Sequence, residues 1–182
     1  VKGKKMSHIW YMSFNNGRGP LIITDGALNI SPNLQTKKAI LTNVLDFTSK
    51  IKNFEPFISI LSATEEILPQ MSSSVDARDL MEWAKKEINE DLNIFGPLAF
   101  DNSISTHAAR IKGLSNNVAG NANILLVPNI ETGNSLVKIM VNFMDATAGG
   151  FITGCKIPVV ITSRSDNIES RLSSISNAIL SL

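Results

Sequence analysis

The sequence predicts an α/β protein in three layers, with a largely parallel sheet between two layers of helices. Strand-like and helix-like segments alternate along the 182 residues, as they do where parallel strands are joined by helices. The clearest unit is residues 118–138, VAGNANILLVPNIETGNSLVK, whose pattern is loop, strand, turn and helix. Its apolar run at residues 123–127 is short and bounded by turn residues, as in a strand buried on both faces.

The first part of the chain supplies two strands and a long helix. Residues 7–14 are rich in β-forming side chains and residues 21–24 are a short apolar run, so both are predicted to be strands. Asp25 follows the second strand and either binds a ligand or caps a turn, and the turn is favoured. Ser31, followed by proline, signals the start of a helix over residues 31–51, because its hydroxyl can cap the first turn.

The middle of the chain continues the alternation. Residues 56–63 are predicted to be a strand, and residues 64–75 form a polar, Ser-rich loop. A helix over residues 76–89 follows, with Asp76 as its cap. Residues 94–100 are the next predicted strand.

Asp101 comes directly after that strand and is a candidate site residue. Side chains at the carboxyl ends of parallel strands face the cleft in which α/β proteins bind ligands. The same carboxylate could instead cap a helix over residues 103–111, and the sequence leaves these two possibilities open.

The C-terminal part contains a glycine-rich segment, a last predicted strand and a final helix. Glycines in residues 148–158 let the backbone come close to a ligand or to another strand. Residues 159–162 are predicted to be a strand, and Ser165 or Asp166 starts a helix that runs to the end of the sequence. That helix has an apolar face formed by Ile168, Leu172, Ile175, Ala178 and Ile179.

Between the last strand and the final helix lies a candidate anion site. Ser163 offers a hydroxyl and Arg164 a charged fork of donors, next to the free N–H groups of a helix start. Strand, Ser-Arg and helix start together would suit a phosphate.

Composition and missing motifs exclude several classes of function. The chain is 43% hydrophobic and 18% charged with a formal net charge of +1, which is typical of a globular domain and gives no reason to expect nucleic acid or an acidic membrane surface. No apolar run is long enough to span a membrane. With one cysteine, Cys155, and two histidines, we expect no disulfide framework, a reducing compartment and no metal site. Neither a Walker A motif nor G-x-G-x-x-G is present, which disfavours nucleotide hydrolysis and dinucleotide binding.

Four blocks of the sequence resemble the phosphate acetyltransferase/phosphate butyryltransferase family. The first is the VAG…GN block with its following lysine, Lys138, and the second is Gly96-Pro-Leu-Ala-Phe-Asp. The third is residues 148–158 and the fourth is Thr162-Ser-Arg, in the same order as in the family. The resemblance runs from about residue 7 to the C-terminus, and the TSRSD ending is similar to the butyryltransferase branch.

The resemblance implies a fold, a domain division and a reaction. Family members have two α/β domains and fold like the isocitrate/isopropylmalate dehydrogenase group. Residues 1–150 would then be the second, inserted domain, and residues 151–182 would return to a first domain whose other strands are absent. The reaction implied is reversible transfer of a short acyl group, acetyl or butyryl, between coenzyme A and inorganic phosphate.

The resemblance also implies roles for individual residues. Ser163 and Arg164 would balance the charge of the phosphate, while Asn134, Lys138 and the backbone N–H of Gly154 would donate to the developing oxyanion. With both substrates side by side, proximity carries much of the rate and no covalent enzyme intermediate is needed. The full implied set is Ser163, Arg164 and Asn134 as catalytic residues and Gly133, Lys138, Asp101, Thr153 and Gly154 as substrate-binding residues.

One position departs from the family pattern. The acetyltransferase branch has an aspartate base seven residues after the serine of the Ser-Arg pair, where this sequence has Ser170. Glu169 and Asp166 lie nearby, so the identity of the base stays open. The arginines with which family members contact coenzyme A belong to the N-terminal domain, so we expect the 182-residue piece alone to have little activity.

The expected partners are acyl-CoA and inorganic phosphate, with the thioester as substrate and no separate cofactor. A cytoplasmic homodimer is expected, without nucleic acid or membrane as partners. Two alternatives remain: a non-catalytic binding or assembly module of the same fold, and a dehydrogenase-like enzyme on that fold. The second would need a nucleotide site and a cluster of metal-binding aspartates, which the sequence does not show.

Overall fold

A computed structural model describes residues 5–163 and 166–182. Its strands are β1 (Ser7–Ser13), β2 (Leu21–Thr24), β3 (Ile58–Leu61), β4 (Ile94–Leu98), β5 (Ile124–Leu126) and β6 (Thr147–Thr153). Its helices are α1 (Leu34–Thr48), α2 (Ser72–Glu87), α3 (Phe100–Ile104), α4 (Thr106–Ile111), α5 (Ile130–Phe143) and α6 (Ile168–Leu180).

The described strands form one sheet in the order β4-β3-β5-β2-β1-β6. Neighbours among β2 to β5 pair in parallel, whereas β1 is antiparallel to both β2 and β6. Five strands therefore run in one direction and β1 runs in the other. The largely parallel sheet predicted from the sequence is confirmed.

Helices cover both faces of this sheet, as predicted. Residues of α1, α2 and α6 share one apolar cluster with the sheet, and α5 packs in a second cluster on the opposite face. Alternation in the central strands explains the division, because Ile22 and Ile124 belong to the first cluster while Ile23 and Leu125 belong to the second. Both faces of β2 and β5 are buried, which accounts for their continuous apolar sequences. No helix in the described part of the chain is long and apolar enough to span a bilayer.

The glycine-rich segment forms a strand that the sequence did not predict. Thr147–Thr153 is a regular edge strand that pairs with β1 along its whole length. Residues 159–162, predicted to be the last strand, form none, and Val159 makes only an isolated bridge to Ile152. The glycines of β6 let a helix and an aromatic ring lie against the strand.

The predicted helix starts differ from the observed ones by a few residues, because several polar residues near each start are able to cap the helix. Asn33, not Ser31, caps α1 by accepting the Thr36 N–H at 2.9 Å. Asp76 lies inside α2, which begins at Ser72, and its carboxylate accepts from Lys37 Nζ at 2.7 Å. The predicted helix over residues 103–111 is instead α3 and α4, separated at the cap residue Ser105.

Helix α6 turns its polar side to the sheet. The apolar face seen in the sequence is largely exposed, with Ile168, Leu172, Ile175 and Ile179 between 49% and 76% accessible. Of the predicted apolar residues, only Ala178 is buried. The buried polar residues of the helix are Ser170, Ser174 and Asn177.

This orientation of α6 has a local cause in β6. The Ser174 hydroxyl accepts the Gly150 N–H at 2.9 Å and donates to the Ser170 carbonyl at 2.8 Å. A side chain at Gly149 would collide with Ser173 and Asn177, so glycine at that position lets the helix approach. The apolar stripe is left without a partner among the described residues.

A buried carboxylate organises the edge at which β2 ends. Asp25 is 1% exposed, and its oxygens accept the N–H groups of His8, Ala27 and Leu28 at 2.9–3.1 Å. The Asn29 side-chain amide adds a bond of 2.6 Å to the same group. The prediction that Asp25 caps a turn is confirmed.

His8 is buried beside Asp25, and burial lowers the pKa of His8 to about 4, although the charge of Asp25 acts in the opposite direction.

Acid should destabilise the fold through His8. Between pH 6.5 and about 4 the unfolded chain binds a proton at His8 that the folded chain does not, so stability falls as the pH falls through this window. The free energy of unfolding should drop by roughly 2 kcal/mol between pH 7 and pH 5 from this group. Urea denaturation at both pH values measures it.

The matched pair of variants is His8→Phe and His107→Phe, since His107 is the exposed histidine of the chain. His8→Phe should remove most of the pH dependence, and it breaks no bond at Nδ1, which has no hydrogen-bond partner among the residues that the structure describes. An unchanged pH dependence in His8→Phe would contradict the assignment.

Candidate functional site

The site is built where α5 meets the turn after β2. Asn129 caps α5 by accepting the Thr132 N–H at 3.0 Å, so the helix starts directly after β5. A Cβ added to Gly133 would lie 2.6 Å from the Cα of Gly26 and 2.9 Å from Val127 Cγ2. The two glycines thus bring the first turn of α5 against the Asp25 turn. Residues 131–135, predicted to be a turn before the helix, belong to α5 itself.

One face of α5 forms the first wall of a cavity. Asn134, Val137, Lys138 and Val141 are spaced three and four residues apart, so they lie on the same side of the helix. All four line a cavity of about 290 Å³. Asn134 also reaches back to the Gly26 carbonyl, with its Nδ2 3.5 Å away.

The opposite wall comes from the sheet edge and the start of α6. Trp10 of β1 and Ala148 of β6 contribute the apolar part. The polar part of this wall consists of Ser163, Asp166, Asn167 and Ser170. The cavity is therefore lined by β1, α5, β6 and the segment at the start of α6.

Hydrogen bonds hold the polar wall in place. An Asp166 carboxylate oxygen accepts the Ser163 N–H at 2.6 Å, and the Ser163 carbonyl accepts the Asp166 N–H at 3.1 Å. Asn167 caps α6 by accepting the Ser170 N–H at 2.8 Å. The start of a 13-residue helix thus borders the cavity, and its partial positive charge favours an anion there. Lys138 is the cation among the described lining residues.

Three predicted site residues meet at this cavity: Asn134, Lys138 and Ser163. Gly133 lies next to them in sequence, but it is buried against Gly26 and does not line the cavity. Arg164 follows Ser163 and lies outside the described residues.

The other three predicted residues lie elsewhere. Asp101 is exposed in the first turn of α3, whose cap position is Ala99, so it neither caps that helix nor reaches the cavity. Thr153 and Gly154 line a separate cavity of about 160 Å³. Gly154 has a φ of +83°, and a Cβ there would lie 2.5 Å from the Lys5 carbonyl oxygen, so this glycine serves a tight turn.

Sequence reasoning missed the apolar side of the cavity. Trp10, Val137, Val141 and Ala148 line it, and none of them was a predicted site residue. The helical spacing from Asn134 to Val141 was a usable signal, because it places the two valines on the same side of the helix as the candidate polar residues Asn134 and Lys138. The position of Trp10 depends on the pairing of β1 with β6, which the sequence did not indicate.

A larger cavity lies at the starts of α1, α2 and α5, with a volume of about 620 Å³. It contains none of the predicted site residues. Lys37 lines it, but its ammonium is paired with Asp76 at 2.7 Å. The cavity of about 290 Å³ remains the candidate site, because three predicted site residues, Asn134, Lys138 and Ser163, line it.

The fold and the cavity define an α/β domain with a pocket whose polar wall borders a helix start. A family model described as phosphate acetyl/butaryl transferase matches residues 2–179. The chain belongs to this phosphate acetyltransferase/butyryltransferase family.

Individual relatives agree with the family. The chain is 40% identical over 177 residues to a phosphate acetyltransferase of Rhizobium meliloti, covering 97% of this chain and 56% of the relative. It is 38% identical over 174 residues to a probable phosphate butyryltransferase of Bacillus subtilis, covering 96% of this chain and 58% of the relative. A crystal structure of a branched-chain phosphotransacylase from Enterococcus faecalis aligns with a TM-score of 0.86 and 36% identity, over 97% of this chain and 63% of that one. The chain thus spans little more than half the length of these sequence relatives.

The contact between Gly133 and Gly26 can be tested by Gly133→Ala. Helix propensity alone would stabilise this variant by about 1 kcal/mol. The added methyl group collides with backbone, so we expect instead a net loss of about 1–2 kcal/mol in the free energy of unfolding, measured in urea.

Ser135→Ala is the control, since Ser135 is exposed on the same helix. It should leave stability unchanged or slightly raised. A Gly133→Ala variant that is more stable than the wild type would show that α5 does not depend on this close approach.

Proposed function

We propose that the protein carrying this chain is a phosphate acyltransferase, which transfers a short acyl group reversibly between coenzyme A and inorganic phosphate. The observation that carries the proposal is the meeting of Asn134, Lys138 and Ser163 at one cavity beside the start of α6. These residues come from two separate blocks of the sequence, Asn134 and Lys138 from the first and Ser163 from the fourth. The names of the relatives, phosphate acetyltransferase and phosphate butyryltransferase, support the same reaction.

The two walls suit the two reacting groups. Phosphate would bind at the polar wall, where Ser163 and the helix start supply donors and Arg164 directly follows in sequence. On the facing wall, Asn134 and Lys138 would stabilise the oxyanion that forms when phosphate attacks the thioester carbonyl. Binding both groups in one small cavity makes the reaction effectively unimolecular, so no covalent enzyme intermediate is required.

Cavity size limits what enters. A volume of about 290 Å³ is near the lower end for ligand sites, so it can hold phosphate and a short acyl group while most of coenzyme A stays outside. Coenzyme A acts here as a thioester substrate, and no further cofactor is proposed.

We propose Asp166 as the general base that removes the thiol proton in the reverse direction. Of the three nearby candidates, Asp166 and Ser170 line the cavity, and only Asp166 carries a carboxylate. Glu169 is exposed and does not line it. Asp166 would therefore take the role that an aspartate holds seven residues after the serine in the acetyltransferase branch.

We also propose the domain division. Residues 1–150 would be the inserted second domain and residues 151–182 would return to a first domain, in an isocitrate/isopropylmalate dehydrogenase-like arrangement. The exposed apolar face of α6 supports this, because such a stripe is normally buried. A cytoplasmic homodimer remains part of the proposal.

Acyl transfer by the intact protein tests the reaction itself. Acetyl-CoA and butyryl-CoA would be incubated with phosphate, and free thiol measured. Arg164→Ala should lower kcat/KM by about a hundredfold or more, because one charged donor to the reacting anion is lost. Arg171→Ala is the control, since Arg171 is exposed on α6 and does not line the cavity.

The results separate the transferase from the alternatives. Thiol release lost in Arg164→Ala and kept in Arg171→Ala supports the proposal. No thiol release from either acyl-CoA would overturn it. Calorimetric titration with coenzyme A and acyl phosphates would then identify a pure assembly module, which should bind neither.

The assignment of the base is tested by Asp166→Asn beside Glu169→Gln. Asp166→Asn should reduce kcat for acyl-CoA synthesis from acyl phosphate by about a hundredfold, as expected for loss of a general base. Glu169→Gln should stay within about twofold of the wild type, because its carboxylate is outside the cavity. If Glu169→Gln showed the larger loss, the base would be Glu169.

A further inference from the structure

The cavity at the start of α6 has an apolar side that phosphate binding does not use. Trp10, Val137, Val141 and Ala148 line it alongside the polar residues of both walls. Apolar lining next to convergent polar groups is typical of a site that binds a molecule with both characters. An acyl phosphate is such a molecule, with a hydrocarbon chain attached to an anion.

Trp10 is the largest residue of the apolar side, and its indole packs against β6 and the His8 ring. It lies opposite Gly150 in the pairing of β1 with β6. A Cβ at Gly150 would be 2.6 Å from Cζ3 and 2.7 Å from Cε3 of the indole, so the ring occupies the space that a side chain would fill. The His8 ring packs against the indole as well, with centroids 4.6 Å apart.

The remaining apolar lining is small. Ala148 offers a single methyl group, and the two valines are short, branched side chains on one face of α5. The indole is consequently the group whose removal would lengthen the cavity most.

We propose that Trp10 determines the length of the acyl chain that the site accepts, with the chain lying against Trp10, Val137 and Val141. This inference rests on the proposed acyl transfer and names the part of the substrate that the apolar side binds. Trp10 acts through shape. Its indole N–H is buried and has no hydrogen-bond partner in the described part of the chain, so a smaller apolar residue breaks no bond there.

The test is a series of acyl-CoA substrates with two, four and six acyl carbons, assayed with the intact protein. The variants are Trp10→Leu and, as a milder change that retains a ring, Trp10→Phe. Trp83→Leu is the matched control, since Trp83 lies on α2, outside the cavity. The Lys38 ammonium lies over the Trp83 ring, 4.9 Å from the ring centroid.

For Trp10→Leu we expect the ratio of kcat/KM for hexanoyl-CoA to that for acetyl-CoA to rise by about tenfold or more, the range by which pockets discriminate between chains differing in methylene groups. The KM for phosphate should stay within about twofold, because the polar wall is unchanged. Trp10→Phe should shift the ratio in the same direction by less. Trp83→Leu should leave it unaltered.

A ratio unchanged in both Trp10 variants, with the fold verified by circular dichroism, would overturn the proposal. A rise in the KM for phosphate without a change in the ratio would also overturn it, since Trp10 would then support the fold of the site only. If neither Trp10 variant folds, the binding measurement on the wild type decides.

That binding measurement separates failure of this inference from failure of the proposed reaction. The indole N–H resonances of Trp10 and Trp83 are followed while butyryl phosphate or inorganic phosphate is added to the wild-type chain. Butyryl phosphate should shift the Trp10 resonance more than inorganic phosphate does, and should leave Trp83 in place, even if no thiol release is ever observed. A Trp10 resonance that stays unshifted by butyryl phosphate would overturn the inference, whatever the outcome of the transfer assay.

Discussion

The close approach of α5 to the Asp25 turn is the constraint on which the site depends. Gly26 and Gly133 face each other with no room for a methyl group on either, so the first turn of α5 has one position relative to β2. Asp25 holds the turn from within through its bonds to backbone N–H groups. With α5 fixed in this way, the stripe from Asn134 to Val141 faces the sheet edge, where it forms a cavity wall.

A second pair of glycines builds the opposite wall. Gly149 admits the polar face of α6 and Gly150 admits the Trp10 ring. Consecutive residues of a strand point to opposite faces, so the pair places a helix on one side of β6 and an indole on the other. The start of α6, with Ser163 and Asp166 before it, is thereby brought to the same edge as Trp10.

Much of the fold followed from local sequence, and the site followed only in part. Buried strands such as Leu21–Thr24 were predicted to the residue, because an apolar run bounded by turns is readable without neighbours. Strand β6 was not predicted, since a segment containing adjacent glycines has little β propensity and depends on pairing with β1. Asn134, Lys138 and Ser163 were candidates because of their motifs, whereas the position of Trp10 at the same cavity depends on the strand register. Thr153 and Gly154 belong to the third block, and they line a different cavity from Asn134, Lys138 and Ser163.

The energetics of α6 indicate how the site is held together. Its described contacts with β6 include hydrogen bonds such as that from the Gly150 N–H to Ser174, each contributing on the order of 1 kcal/mol. Burying one leucine or isoleucine side chain contributes roughly 1.5–3 kcal/mol, and four of these on α6 are largely exposed. A partner surface over that face would therefore stabilise α6 more than the polar contacts beneath it do. Because Ser163, Asp166 and Ser170 lie at the start of this helix, covering the apolar face would also fix the polar wall of the cavity, so the precision of the proposed phosphate site depends on what packs against the far side of α6.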